Sequence, residues 1–207
     1  MLLSWALARE LDPDQPASAV AAGIAGFLIF LTGPTNLGAV TALLFAVRLV
    51  ARSPGLPPTK VDLIWLPALA AYTARSMGGF LAGVALAAAL AWDAESPSRT
   101  RQILSALAAA VLAVSLAAVR GTLEAHPVVP TPWQWVVLGA ALFSVLWLRI
   151  PAAVSVGDLS GERPYQGRMV RARALALATG GFAVLWLGGA AAPALVGLWA
   201  ALFRGTD

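Results

Sequence analysis

Cysteine is absent from the chain, and histidine occurs once, as His126. Those two shortages exclude disulfides, thiolate chemistry, iron–sulfur clusters, Cys-ligated zinc and any metal or haem site built on several imidazoles. No metal and no cofactor are expected. Charge is also scarce. Only 12% of the residues are charged, against roughly a quarter in an average soluble domain. With 59% hydrophobic residues and a mean hydropathy of +0.79, a fully water-exposed surface is excluded. The apolar runs are expected to face lipid.

The 207 residues allow one domain, with no linker long enough to separate two. A pI of about 10.6 in a soluble protein would point to nucleic acid. Here the net charge is only +4, and the basic residues flank apolar runs, where they anchor helices to anionic lipid. No nucleic-acid partner is expected; membrane lipids are.

The opening MLLSWALARE lacks the basic start of a cleaved signal, and Arg9 and Glu10 interrupt its apolar run. Leu2, Leu3, Trp5 and Leu7 suit a short helix lying in the membrane interface. Residues 1–16 therefore read as an interfacial segment, and 17–207 as a single transmembrane helical domain with a cytoplasmic loop over 151–168.

Eight short crossings are expected, separated by Pro and Gly, which end helices for steric reasons. They run Ala17–Leu31, Asn36–Val50, Asp62–Ala74, a fourth set off by Gly78-Gly79 and ending near Trp92, Ile103–Val119, Trp133–Ile150, Met169–Leu187, and an eighth set off by Gly188-Gly189 and Pro193 and ending at Phe203. A single helix over 17–50 would be about 50 Å long, far beyond a hydrocarbon core of about 30 Å. Some of these crossings are short for the usual span of about 20 residues, so six crossings and a re-entrant hairpin are the alternative.

Charge placement orients the array. Arg9, Arg48, Arg52, Lys60, Arg99, Arg101, Arg149, Arg163, Arg168, Arg171, Arg173 and Arg204 fall on one side. Only Arg75 and Arg120 fall on the other, which completes the fourteen basic residues. By the positive-inside rule both termini are cytoplasmic. Trp65, Trp92 and Trp147 at one set of helix ends, with Trp133, Trp135 and Trp186 at the other, form interfacial belts. The fold class is thus an all-α polytopic protein of the cell membrane, the inner membrane in a bacterium.

Site signals are sparse. Arg48 and Arg52, four residues apart at a helix end, form either a phosphate cradle or a pair of snorkelling anchors. Arg75 suits a helix C-terminus, and Asn36 a helix N-cap. Glu124 and His126 share a loop without a nucleophile at a known spacing. No ionisable residue falls at mid-helix, which disfavours a proton or ion pathway on buried carboxylates. The richest stretch holds Asp158, Glu162, Arg163, Arg168, Arg171 and Arg173. It reads as a cytoplasmic docking surface for a partner or for anionic lipid. Arg168 and Arg171, three apart, are expected to share one helix face, and their joint removal to leave the fold intact while weakening association. Gly79 and Gly83, a G-x-x-x-G pair, are expected to serve packing within the chain rather than a dimer seam.

Residues Asp158 to Gly167 and the helix after them resemble a cytoplasmic loop of the intramembrane aromatic prenyltransferases. The resemblance implies eight or nine helices, with aspartate-rich loops that hold magnesium and an isoprenyl diphosphate. It covers about a tenth of the chain. Where that family places its first Asn-Asp-x-x-Asp motif, this sequence has Arg52-Ser53-Pro54-Gly55. Asp62, Asp158 and Glu162 form an acidic set too small and scattered for the paired motifs a metal–diphosphate needs. The leading expectation is a non-catalytic membrane subunit or solute-binding component working with other membrane subunits. The alternative is an enzyme or carrier acting on a lipid or isoprenoid at the cytoplasmic face.

Overall fold

The computed structural model describes residues 1–31, 36–52, 57–94, 99–121 and 165–187. Among the described residues there are seven helices and no strands. They are α1 (Leu2–Leu11), α2 (Pro16–Phe30), α3 (Leu37–Ala51), α4 (Asp62–Thr73), α5 (Met77–Trp92), α6 (Arg99–Val119) and α7 (Gln166–Leu187). The crossings expected over 133–150 and 193–203, and most of the 151–168 loop, lie outside the described residues.

Local chemistry explains where the helices begin. Asn36 caps α3, its Oδ1 accepting the Ala39 N–H at 3.0 Å. At α4, Thr59 and Asp62 form a reciprocal capping box. The Asp62 Oδ2 accepts the Thr59 N–H at 2.7 Å, and the Thr59 Oγ1 accepts the Asp62 N–H at 3.3 Å. The α4–α5 turn is tight because Gly79 rests on the carbonyl of Thr73. Gly83 rests on that of Ala70 and meets the methyl of Ala113. Both glycines of the G-x-x-x-G pair thus serve contacts inside the chain.

The bundle centres on α3 and α5. Helix α3 packs on α1, α4, α5 and α7, and α5 on α3, α4, α6 and α7. Ala39, Ala42, Leu43, Ala46, Val47 and Val50 recur at three- and four-residue spacing along α3, and all are buried. They meet Ala82, Leu86, Ala89 and Leu90 of α5 in one core. Alanine on both sides brings the backbones close, as helices in lipid require.

Helix α1, expected as an interfacial segment, packs lengthwise on α2 and α3. Its first turn meets Gly23 and Gly26 of α2. Its last turn reaches Arg48 and Arg173, at the other end of the bundle. An interfacial helix would lie across the bundle end; α1 instead runs alongside α3 in the same direction. The two glycines create the space, and Ser4, Leu7, Ala8 and Leu11 fill it.

Helix α6 has the reverse of a soluble helix's polarity. Gln102, Ser105, Ala109, Ala113 and Ala117 face inward, and Leu104, Leu107, Val111 and Val119 face outward, with Val119 81% exposed. Two helices, α6 and α7, are long and apolar enough to cross a membrane. The 21 residues of α6 span about 31 Å at 1.5 Å each, matching a hydrocarbon core of about 30 Å.

One inward residue of α6 repairs a defect in α4. Pro67 lies inside α4 and has no N–H to offer the carbonyl of Leu63, four residues earlier. The Ser105 hydroxyl donates to that carbonyl at 2.7 Å. Ser105→Ala is therefore expected to cost about 1–3 kcal/mol, the penalty for an orphaned buried carbonyl. Pro67→Ala restores the missing donor, so in that background the same change should cost under about 1 kcal/mol. Equal costs in both backgrounds, measured by unfolding in detergent, would show that the hydroxyl does not serve the proline gap.

Candidate functional site

Apart from Arg75 and Arg120, the charged residues of the described chain lie toward one end of the bundle. The C-terminal ends of α3 and α5 meet the N-terminal ends of α6 and α7 there, as helices of alternating direction require.

Asp93 is the centre. It follows the last turn of α5, its N–H bonded to the carbonyl of Ala89 at 2.9 Å, and its side chain is fully buried. Three helices supply donors to it. From the end of α3, the Arg52 Nε lies 2.8 Å from Oδ1 and an Nη2 3.3 Å from Oδ2. From α7, the Arg168 Nη1 lies 2.5 Å from Oδ1 and also donates to the carbonyl of Val50 at 3.4 Å. From α6, the fully buried Gln102 donates through Nε2 to Oδ2 at 3.4 Å. One carboxylate and two guanidiniums leave the trio with a charge of +1.

Helix dipoles work against two of these charges. A carboxylate is disfavoured at a helix C-terminus, where Asp93 sits, and a cation at an N-terminus, where Arg168 sits. Each penalty is about 0.3–1 kcal/mol. Pairing the two cancels them. Arg52 reaches the pair from a left-handed backbone, φ 49° and ψ 45°, with its N–H on the carbonyl of Arg48 at 2.9 Å. Glycine is the usual residue in that conformation.

A second set of contacts fastens α1. The Arg173 Nε donates to the carbonyl of Leu11 at 2.8 Å, and its Nη2 lies 3.0 Å from the Asp12 carboxylate. Arg48 pairs with Glu10 at 3.7 Å on a more open surface. The Arg9 guanidinium donates to the carbonyl of Pro13.

The basic residues expected to act together therefore divide. Arg52, Arg168 and Arg173 turn inward and join helices; Arg48 and Arg171 remain exposed. Arg168 and Arg171 do not present one common outward face, because Arg168 is drawn onto Asp93. The expectation that both can be removed without harm to the fold is corrected for Arg168. Arg163, Asp158 and Glu162 lie outside the described residues, as do Glu124 and His126.

Asp62 is committed to its helix start. Besides the backbone of Thr59, it accepts the Thr59 hydroxyl at 2.8 Å and the Trp65 indole N–H at 3.2 Å. Partial burial pushes its carboxyl up, but the two Thr59 bonds and the Trp65 bond outweigh it, so the carboxyl titrates below its ordinary range. Among the described residues no group of three or more His, Asp or Glu could hold a metal ion.

Sequence reasoning passed over Asp93, which directly follows the crossing expected to end near Trp92. The usable signal was its position, a single carboxylate directly after an apolar helix at the end where the arginines gather.

At the opposite end, an apolar groove of about 470 Å³ opens between α1, α2 and α3. Leu2, Leu3, Phe27, Phe30, Leu37 and Val40 line it.

No protein-family model matches the chain, and no curated protein or solved structure matches it.

Proposed function

We propose that the protein is a non-catalytic, multi-pass subunit of a membrane protein complex, with the Asp93 end of the bundle and both termini in the cytoplasm. The observation that carries the membrane part is the outward face of α6, large aliphatic residues over a polar and small inner face. The subunit part draws on the use of the charges. Arg52, Arg168 and Arg173 bind helix to helix, while Lys60, Arg99, Arg101 and Arg171 stay exposed. That exposed rim suits anionic lipid headgroups and the acidic side chains of neighbouring subunits.

A carrier or enzyme for a lipid or isoprenoid is the second reading, and the apolar groove favours it. The groove lies beside the first turn of α3, away from the cytoplasmic face where that reading places its chemistry.

Two measurements on the Cys-free chain test the proposal. With Lys60→Cys or Arg75→Cys, an impermeant maleimide added to intact cells should label only the second variant. Labelling of the first alone would overturn the orientation. Extraction in mild detergent should then retain a stoichiometric membrane partner, weakened by Arg99→Ala with Arg101→Ala. Recovery of a lone protein carrying bound lipid in the groove would favour the second reading.

A further inference from the structure

Helices α4 and α6 run side by side in the same direction. The Ser105 hydroxyl of α6 meets the Leu63 carbonyl of α4 at 2.7 Å. Two turns further on, Gly83 of α5 abuts both Ala70 of α4 and Ala113 of α6. The two helices therefore advance in step from one contact to the next.

That register brings two cations together. The Leu63 N–H bonds to the carbonyl of Thr59 at 3.2 Å, so the helical winding already includes Lys60. Lys60 lies three residues before Leu63, and Arg101 four before Ser105. Both spacings keep to one helix side, so both cations stand on the α4–α6 seam at nearly the same level. Both are exposed. Asp62, the carboxylate nearest to Lys60 in sequence, is turned to Thr59 and Trp65. Below Lys60, Ile64 and Ala68 follow at four-residue steps and are exposed, Ile64 by 76%. Below Arg101, Leu104, Ala108 and Leu112 follow at steps of three and four and are exposed too.

Each helix thus carries a cation at its head and an open apolar stripe beneath it. A purely acidic partner would leave the stripes unmatched, and a purely apolar one would leave the cations unmatched. A phospholipid matches both, with its charge at the membrane surface and its hydrocarbon running along the seam. Two cations at the head favour a headgroup of net negative charge.

We propose that the α4–α6 seam binds an anionic phospholipid, its phosphate between Lys60 and Arg101 and one acyl chain along Ile64, Ala108 and Leu112. The site rests on the membrane reading given above and names a ligand for part of the exposed rim. An acidic segment of a neighbouring subunit is the competing occupant.

The test titrates detergent-solubilised full-length protein with phosphatidylglycerol or phosphatidylcholine of matched chains and counts bound lipid by native mass spectrometry. Phosphatidylglycerol should bind more tightly. Each basic residue near an anionic lipid contributes about fivefold, so Lys60→Gln with Arg101→Gln should weaken phosphatidylglycerol roughly thirtyfold. Arg99→Gln with Arg171→Gln removes the same charge from the same end but off the seam, and should weaken it far less. Ala108→Phe should weaken both lipids by filling the path of the chain. Equal binding of the two lipids, equal loss in the two double variants, or an unchanged Ala108→Phe would overturn the site. So would loss of a co-extracted subunit in Lys60→Gln with Arg101→Gln at unchanged lipid content, which would give the seam to an acidic partner. Each of these results leaves the membrane reading standing. Failure of every form to bind either lipid would sink that reading together with the site.

Discussion

Asp93→Ala is expected to lower the stability of the protein by about 3–5 kcal/mol, because it leaves two guanidiniums buried without their carboxylate. The magnitude separates two descriptions of the cluster. An exposed ion pair contributes about 0–1 kcal/mol, and a desolvated one that loses a partner costs several times more. Arg52 and Arg168 are only 19% and 14% exposed, and Asp93 not at all, so the larger figure applies. Thermal or denaturant unfolding in detergent reads it directly. Replacing all three residues together with apolar ones, Asp93→Leu with Arg52→Met and Arg168→Met, should recover part of the loss, since the two guanidiniums are removed with the carboxylate, while the buried Gln102 amide still loses an acceptor. A loss under about 1 kcal/mol for Asp93→Ala alone would mean the cluster is solvated.

The second large effect is expected at Gly79. A methyl there would lie 1.8 Å from the carbonyl oxygen of Thr73 and 2.6 Å from its carbon. Both are backbone atoms, so no rotamer change relieves the clash and α5 must move off α4. Gly79→Ala should cost at least the upper end of the roughly 1–3 kcal/mol range for overpacking. Gly83→Ala meets a backbone oxygen at 2.9 Å and should cost less. At Gly23 the nearest atom is 3.5 Å away, and alanine should be neutral or stabilise the helix by up to about 1 kcal/mol. Stability should therefore fall in the order Gly23, Gly83, Gly79. An equal response at Gly23 and Gly79 would contradict the close approach of α4 and α5.

The helices were legible because their boundaries are local. Asn36 and the Thr59–Asp62 pair act within a few residues of themselves, whereas Gly78 and Gly79, read from the sequence as a break, lie in the first turn of α5. Helix edges read from them agree with α2 to α5 to within a residue or two. Ala22, Gly23 and Gly26 give α2 a small face in the sequence itself. The occupant of that face was not legible, because a short apolar helix followed by Asp12 and Pro13 suits the membrane interface equally well. The charged end shows the same division. That arginines gather there follows from the alternating direction of the helices. Which of them turn inward depends on Asp93, whose partners are 41 and 75 residues away in sequence, and no periodicity reports such a distance.

The proline in α4 bears on the order in which the chain can be built. A carbonyl left without a donor inside a packed bundle is a defect. A chain emerging from its N-terminus presents Pro67 well before Ser105, and between them comes all of α5. Until α6 enters, the carbonyl of Leu63 has no hydroxyl to meet. Helix α4 thus completes its hydrogen bonding only when α6 packs on it. A nascent chain halted before α6 would hold α4 less firmly than α3 or α5, although all three are already made.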